Sequence, residues 1–355
     1  LEPILGSLVQ PGTNADGTVR PIDTQVDKDI DPMYVDEFIL GYEKDFGRGW
    51  TAGLTLTYRN LGTAIDDVAI DAAVLKYCAA QKISGCDSVW SGFHQYVLTN
   101  PGEDMTITLD KADLAQTSLG AAATSRVVTL SAADLNYPAP KREYIALQAT
   151  IERKFDGKWG GRFSYVASET KGNYEGALKS DNGQADPGLS QDFDQPGLVD
   201  FAYGKLPGHR AHSFKLFGTY SPFEGLLLGG NAVLESPRNF GCIGVHPTDD
   251  FAALYGAASW FCNGKPTPRG SQFKSGWLKN VDLTVNYTVP DTVMGGALSG
   301  LSLRADVFNL FNLKSELDFN EFGELTAVGD LDPNYGKVSR YQSPRYVRLG
   351  VSYKF

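Results

Sequence analysis

The sequence predicts an all-β fold, an antiparallel β-barrel that spans a membrane, and two observations predict it. Apolar and polar residues alternate along many segments, which is typical of strands with one apolar face. The connections between these segments are alternately short and long, as in barrels with short turns on one side of the membrane and long external loops on the other. A soluble sheet whose charged side chains face water is the alternative that alternation alone leaves open.

The alternation is clearest in two segments late in the chain. Residues 281–289 carry Val, Leu and Tyr at odd positions and Asp, Asn and Thr between them, and residues 347–355 repeat the pattern. Most of the predicted strands have the roughly 9–11 residues that a tilted strand needs to cross a bilayer. We predict about nine strands, at 34–46, 50–59, 142–155, 159–169, 210–220, 226–236, 277–289, 301–312 and 345–355.

The connections give the predicted barrel its orientation. The short ones are 47–49, 156–158, 221–225 and 290–300, and the long ones are 60–141, 170–209, 237–276 and 313–344. If the last strand runs toward the periplasm, every short turn is periplasmic and every long loop is extracellular. A barrel with both ends in the periplasm needs an even number of strands. Because an open sheet edge cannot exist in lipid, a count of nine implies further strands outside the chain or an error of one.

The two faces of the predicted strands differ in chemistry. The apolar face is expected to contact lipid, and the polar face to line a lumen filled by water or by a plug. We assign Glu152, Arg153, Lys215, Arg304 and Asp306 to the lumen. Aromatic residues suit the membrane interface, because one end of a Tyr or Trp is apolar and the other polar. Those near strand ends are Tyr34, Phe46, Trp50, Tyr58, Phe155, Trp159, Tyr220, Phe223, Trp277, Tyr346 and Phe355.

Composition narrows the class of protein. The 355 residues are 42% hydrophobic and include 39 Gly, 17 Tyr and 19 Phe. No apolar stretch approaches the ~18 residues of a membrane-spanning helix. The net charge of −10 and the lack of a basic run argue against nucleic-acid binding. We find no signal-peptide pattern, so we expect a mature, processed or partial chain.

Four cysteines form two pairs that are local in sequence. Cys78 and Cys86 are eight residues apart, and Cys242 and Cys262 are twenty apart. Neither spacing matches a zinc site, and both pairs lie in polar, Gly-containing segments. We expect two disulfides formed in an oxidising compartment, with four free thiols as the alternative.

The remaining polar clusters give no strong site. Asp27, Asp29 and Asp31, with Asp23 nearby, could bind Ca²⁺, but they lack the Gly and the terminal Glu of an EF-hand loop, and a solvated acidic loop is the alternative. His209 and His212 have an odd spacing that places them on opposite faces, which disfavours a metal site. His94 and His246 are isolated in the sequence. No catalytic motif is present, so we expect no enzyme, no metal and no cofactor.

The first long loop has predicted structure of its own. Residues 64–80 have the pattern of a short amphipathic helix, which a Cys78–Cys86 bond would hold in place. Residues 105–109 and 126–130 could form a hairpin. An ordered external loop of this size indicates either a binding surface or a lid over the barrel mouth.

Several runs resemble the TonB-dependent receptor family. The ending 343–355, SPRYVRLGVSYKF, is similar to the family's last strand and finishes in a terminal aromatic residue, and 305–312, ADVFNLFN, is similar to its penultimate strand. The resemblance is closer to the Oar-like branch. It extends to 34–41, 58–61, 65–67, 100–102, 172–176 and to 204–207 before His212.

This resemblance implies a 22-stranded barrel in the bacterial outer membrane, filled by an N-terminal plug. Residues 1–355 would then be the C-terminal part of the barrel, with its last nine strands. The plug and the N-terminal domain, which is often carboxypeptidase-regulatory-like in this branch, would be absent from the chain.

The implied function is active import of a scarce ligand. The implied partners are TonB, reached through the missing N-terminal part, outer-membrane lipids, and an unidentified small molecule, glycan or peptide. The alternatives are a structural or adhesive barrel whose loops bind partners, and a passive porin-like channel. The substrate and the oligomeric state are not readable from the sequence.

Overall fold

A computed structural model describes residues 21–176, 178–184, 190–296 and 298–354. Nine antiparallel strands form one sheet in which every strand pairs with its neighbour in the chain order of the nine. They are β1 Tyr34–Gly47, β2 Trp50–Thr63, β3 Arg142–Arg153, β4 Trp159–Gly172, β5 His212–Tyr220, β6 Leu226–Glu235, β7 Leu278–Thr288, β8 Leu301–Phe308 and β9 Tyr346–Tyr353. All nine predicted strands are confirmed. Within the described ranges, no helix has both the length and the apolar character needed to cross a bilayer.

Strand register fixes the two faces of this sheet. Leu283 pairs with Val307, which pairs with Val347, so these three side chains form one row on one face. One residue along, Thr284 pairs with Asp306 and Asp306 with Arg348, which forms a row on the opposite face. Successive side chains of a strand point to opposite faces, so the whole sheet divides into an apolar face and a polar face.

The polar face contains four of the five charged residues that the sequence assigned to it. Arg153 is the exception, because it follows Glu152 directly and must point the other way. Arg153 pairs with Trp50 in register on the apolar face. Its guanidinium lies 3.9 Å from the centre of the Trp159 ring and 2.6 Å from Asp156 at the adjacent turn. A strand end near a membrane interface accommodates such a charge because its head can reach water.

Aromatic residues mark both ends of the apolar face. At the end with the short turns, the Trp50 and Trp159 rings meet edge to face at 5.7 Å. At the end with the long loops, Tyr165 stacks on Phe214 at 4.7 Å. Two aromatic belts with an apolar band between them are typical of membrane-spanning barrels.

The tight turns depend on glycine. Gly225 has φ +82°, and a Cβ there would lie 2.3 Å from the carbonyl oxygen of Thr288. The turn between β5 and β6 can therefore approach the end of β7 only with glycine at this position.

The sheet is open at both edges, that is, at its first and last strands. Within the described part of the chain, β1 pairs only with β2, and β9 pairs only with β8. Each edge strand carries unpaired backbone groups, which lipid cannot satisfy.

Four long loops connect the strands at the other end of the sheet: L1 (64–141), L2 (173–211), L3 (236–277) and L4 (309–345). Their helices are α1 Asp71–Ala80, α2 Lys111–Leu114, α3 Ala132–Leu135 and α4 Asp250–Ala253. Their short strands are Asp66–Ala69, Tyr96–Thr99, Met105–Leu109, Arg126–Leu130, Asn239–Phe240, Gly244–Val245, Ala257–Ser259, Phe261–Cys262, Lys265–Pro266, Phe273–Lys274, Glu316–Phe319 and Val338–Tyr341, with Gly204–Lys205 added to the edge of β4. Single 3₁₀ turns occupy Ile22–Thr24, Cys86–Ser88, Gly120–Ala122, Ser180–Asn182, Gln191–Phe193, Pro196–Val199 and Val293–Gly296.

The predicted structure of L1 is largely confirmed. Met105–Leu109 pairs with Arg126–Leu130 as the predicted hairpin. The helix predicted at 64–80 forms only from Asp71 onward. Before it, Asp66–Ala69 is a strand that pairs with Tyr96–Thr99. Local periodicity could not reveal this pairing, because the partner strand lies some thirty residues away.

Candidate ligand-binding site: the packed loops and an arginine pocket

The four long loops pack into one structure with its own hydrophobic core. Trp90 of L1, Phe193 of L2 and Trp260 of L3 are all fully buried in a single cluster, and Phe322 of L4 packs against it. Fully burying a large apolar side chain contributes about 1.5–3 kcal/mol. The loops therefore form an ordered domain over one end of the sheet.

Both predicted disulfides are present. Cys78–Cys86 joins the end of α1 to the following turn, and Cys242–Cys262 closes a segment of L3. The second bond lies beside L4, because the backbone of Ile243 exchanges hydrogen bonds with Glu321 and Gly323 of that loop, both at 2.8 Å.

A buried ionic cluster joins L2 to L3. Lys179 and Arg269 are completely buried, and both contact the carboxylate of Asp192, at 2.9 and 3.1 Å. Arg269 also pairs with Asp181, and both cations lie over the ring of Trp260. Burial alone would raise the pKa of Asp192, but the two cations outweigh burial and lower it. The cluster is thus charged, and each charge is compensated by its neighbours.

Buried acids in the loops have the opposite behaviour. Burial raises the pKa of Asp66 in L1 to about 8 and that of Asp194 in L2 to about 7. One oxygen of Asp66 accepts hydrogen bonds from the backbone of Asp67 and Ser190, both at 3.0 Å, while the other has no partner within the described residues. Both carboxyl groups lie where L1 meets L2. Their protonation, and with it the charge at this contact, therefore changes with pH near neutrality.

A pocket of about 570 Å³ lies between L2, L3 and L4. Its charged lining comprises Arg210, Arg238, Arg340, Glu175 and Asp318. We call it the arginine pocket. Arg238 is nearly buried and bonds Asp318 at 2.6 Å, while Arg340 is two-thirds exposed and only 3.6 Å from the same carboxylate. Arg340 therefore keeps most of its donors free for a ligand.

The arginine pocket adjoins the polar face of the sheet. Arg210 lies 3.8 Å from Glu235, whose carboxylate also accepts a hydrogen bond from Ser213. Ser213 and Glu235 pair across β5 and β6 on the polar face. Burial lowers the pKa of Arg210, Glu235 opposes this effect, and the nearby Arg238 adds to it. An anion bound there would help to compensate the buried charge of Arg210.

No family model matches the chain. It is 24% identical, over 379 residues, to the TonB-dependent transporter Oar of Myxococcus xanthus, a match that covers 94% of the chain and 29% of that protein. The chain is a homologue of TonB-dependent transporters. This similarity confirms the resemblance to Oar-like TonB-dependent transporters that the sequence indicated. The chain spans less than a third of the length of Oar.

Two solved structures match the chain at low sequence identity. The siderophore receptor PiuA from Acinetobacter baumannii is 10% identical with a TM-score of 0.47, and the match covers 98% of the present chain and 32% of PiuA. The outer membrane transporter YddB from Escherichia coli is 16% identical with a TM-score of 0.46, over 92% and 33%. The apolar face of the chain's sheet, with aromatic residues at both of its ends, fits contact with lipid. The chain's relatives are transporters and receptors rather than enzymes.

The acidic stretch at residues 27–31 lies where the chain before β1 meets L1. Asp27 is buried and its carboxylate accepts hydrogen bonds from Asp29, Thr99 and Thr106. Asp29 and Asp31 are both exposed. The backbone N–H of Asp31 donates a hydrogen bond to the side-chain oxygen of Asn100 at 2.6 Å. Within the described ranges, no three His, Cys, Asp or Glu side chains are grouped so that they could hold a metal ion. Asp27 instead anchors the chain before β1 to L1.

The two neighbouring histidines lie in different surroundings, although not on opposite faces of a strand as predicted, because β5 begins only at His212. His209 is buried in L2, where its Nδ1 accepts a hydrogen bond from the backbone of Thr170 at 3.2 Å, and burial lowers its pKa to about 4. His212 lies on the apolar face, with its Nδ1 2.9 Å from the hydroxyl of Tyr165. Neither histidine contributes to the arginine pocket, which local sequence signals did not reveal.

Proposed function

We propose that the chain is the C-terminal part of an active importer of the outer membrane. The observation that carries this proposal is the similarity to a TonB-dependent transporter across 94% of the chain. In this proposal, the packed loops capture a scarce ligand outside the cell, and the ligand then passes along the polar face of the barrel.

Barrel closure is part of the proposal. The open edges of β1 and β9 require partner strands in lipid, and one polypeptide supplies them most simply when more strands precede β1. A barrel of 22 strands, with the plug and the N-terminal domain encoded outside this chain, would meet that requirement. TonB would act through those parts.

The arginine pocket is the proposed capture site. It faces the polar side of the sheet and is built by three loops, so a ligand held there would touch L2, L3 and L4 at once. Below it, the polar face continues with Asn280, Asp282 and Arg304. Groups of both signs along this face would let a polar solute exchange water for protein contacts.

The test is a comparison of solute depletion from a defined medium. The strains are the wild type, a deletion of the full-length gene, a deletion of TonB, and the gene deletion complemented with R210Q/R340Q. Mass spectrometry of the spent medium would identify a solute whose depletion needs both this protein and TonB. We expect the double variant to slow its depletion at least fivefold, and Lys265→Gln, an exposed L3 lysine outside the pocket, to leave it unchanged.

Two outcomes would contradict the proposal. If the full-length protein conducts ions steadily in a planar bilayer, it is a porin-like channel. If no solute depends on TonB while cells lose attachment to surfaces or to one another, the protein is an adhesive barrel.

A further inference from the structure

The apolar face of the sheet has a depression that the proposed import does not use. Gly161, Gly218 and Gly230 lie in one register row across β4, β5 and β6, and Leu283 of β7 ends the row. We call these three glycines the glycine trough. The rows on either side carry large side chains, such as Leu216 and Tyr220. Three missing side chains in one row leave a cavity of about 580 Å³ on the wall that faces lipid.

This depression continues toward the loop end of the strands. A second cavity of about 300 Å³ shares Leu216, Ala232 and Val281 with the first and ends at Lys279 and Leu313. Lys279 pairs with Leu234, four residues along β6 from Gly230. That separation is about 13 Å at the rise of a β-strand. The two cavities therefore form one groove that runs along the strands.

Three exposed cations surround the loop end of the groove: Lys279, Lys314 and Arg345, which we call the cation cluster. The backbone of Lys279 donates to Ser315, the neighbour of Lys314, at 3.3 Å. Arg345 reaches the carbonyl of Leu310, whose own N–H bonds the carbonyl of Val281 in the groove. Within the described residues, none of the three makes a salt bridge, although acidic Glu316 lies in the same loop segment.

We propose that this groove binds a phosphate-bearing lipid of the outer leaflet. The cation cluster would hold the phosphate, and one acyl chain would lie in the groove down to the glycine trough. Charge complementarity identifies the occupant, because cations without a salt bridge at a membrane interface attract anionic headgroups, about 1 kcal/mol for each cation. The Lys314 ammonium lies over the ring of Tyr341, 4.1 Å from its centre, and keeps its charge uncompensated. The location at the loop end of the strands selects the outer leaflet. Hydrocarbon is the only part of such a lipid that suits the apolar lining.

The test uses the full-length protein purified from outer membranes in mild detergent. Bound lipid is extracted and quantified per protein by mass spectrometry. We expect K279Q/K314Q/R345Q to retain at least fivefold less phosphate-bearing lipid than the wild type. Lys265→Gln is the control, because Lys265 is an exposed lysine that lines neither cavity and makes no salt bridge among the described residues.

A second variant tests the groove separately from the charges. Gly230→Leu would fill the trough, and a Cβ at Gly230 meets no atom within 4 Å, so the substitution does not disturb the strands. We expect it to reduce retained lipid at least threefold, and Gly230→Ala to have a smaller effect. Equal retention in the triple variant and in Lys265→Gln would overturn the proposal, as would retention of uncharged lipid alone. Neither result would bear on solute import.

Discussion

Arg348 donates two hydrogen bonds to one carboxylate oxygen of Asp306, at 3.0 and 2.9 Å, across the last two strands of the sheet. Arg304 bonds the same carboxylate from within β8, and Thr284 donates to it from β7. Asp306 is 3% exposed, although it sits on the face that is open to water. One acid thus ties three strands together on the polar face.

Replacing this acid with alanine should weaken the sheet. In Asp306→Ala, both arginines lose their partner, and we expect the barrel to unfold at a lower urea concentration than the wild type. The measurement is the unfolding midpoint in urea of the full-length protein, followed by gel mobility without heating. Glu152→Ala is the control, because Glu152 lies only within 3.8 Å of Arg162 and both side chains are about half exposed. If both variants unfold at the wild-type midpoint, the Asp306 network does not stabilise the sheet.

The assignment of the two faces can be tested with neighbouring residues. Leu147 lies in the centre of β3 on the apolar face and is 45% exposed, while Gln148 points to the polar face. Leu147→Arg places a charge in lipid and should cost about 2–4 kcal/mol near the bilayer midplane. Gln148→Arg should be tolerated. The amount of folded protein in purified outer membranes gives the readout, and equal yields for the two variants would reject the face assignment.

The strands of the sheet could be predicted from the sequence because each strand is marked by a local pattern of residues. Alternation over ten residues marks a strand, and a membrane enforces the contrast between its two faces. Arg153 was assigned to the wrong face because its charge was taken to place it in the lumen. It pairs in register with Trp50, and this pairing puts both side chains on the apolar face.

The packed loops could be predicted only in part. The helix, the hairpin and the disulfides of L1 and L3 are local features, and the sequence indicated them. The ionic cluster of Lys179, Arg269 and Asp192 and the arginine pocket combine residues from different loops. Their contacts depend on how strands bring distant loops together, so no spacing in the sequence could identify them.

The buried ionic cluster should respond unequally to the loss of its members. Asp192→Ala leaves Lys179 and Arg269 facing each other without their shared acid, and we expect the loop domain to lose about 3–5 kcal/mol. Lys179→Met should cost less, because Arg269 still neutralises Asp192. Hydrogen-exchange protection of the L2 and L3 backbone measures the local effect. Equal loss in both variants would show that the cluster is not held together by Asp192.

The disulfides should stabilise the loops without supporting the sheet. On a chain-entropy model, closing these segments contributes about 3 kcal/mol each, slightly more for Cys242–Cys262 because its segment is longer. We expect C242S/C262S to lower the hydrogen-exchange protection of the backbone in L3 and in its contacts to L4. The hydrogen-exchange protection of β5 and β6 should remain unchanged. Loss of protection throughout the sheet would contradict the separation of loops from sheet.

The contact between L1 and L2 should weaken as pH rises. Burial raises the pKa of Asp66 to about 8, so the folded loop holds a proton that the unfolded loop releases near its ordinary value of 3.8. The folded state then binds more protons in between, and stability falls as pH increases from about 4 toward 8. Asp66→Asn removes the ionisation and should stabilise the contact by a margin that grows with pH, roughly 2–4 kcal/mol larger at pH 8 than at pH 5. Hydrogen exchange in L1, corrected for the intrinsic pH dependence of exchange, measures this difference. The exposed Asp87→Asn is the control, and an Asp66→Asn variant whose protection falls with pH as steeply as that of the wild type would show that another group causes the dependence.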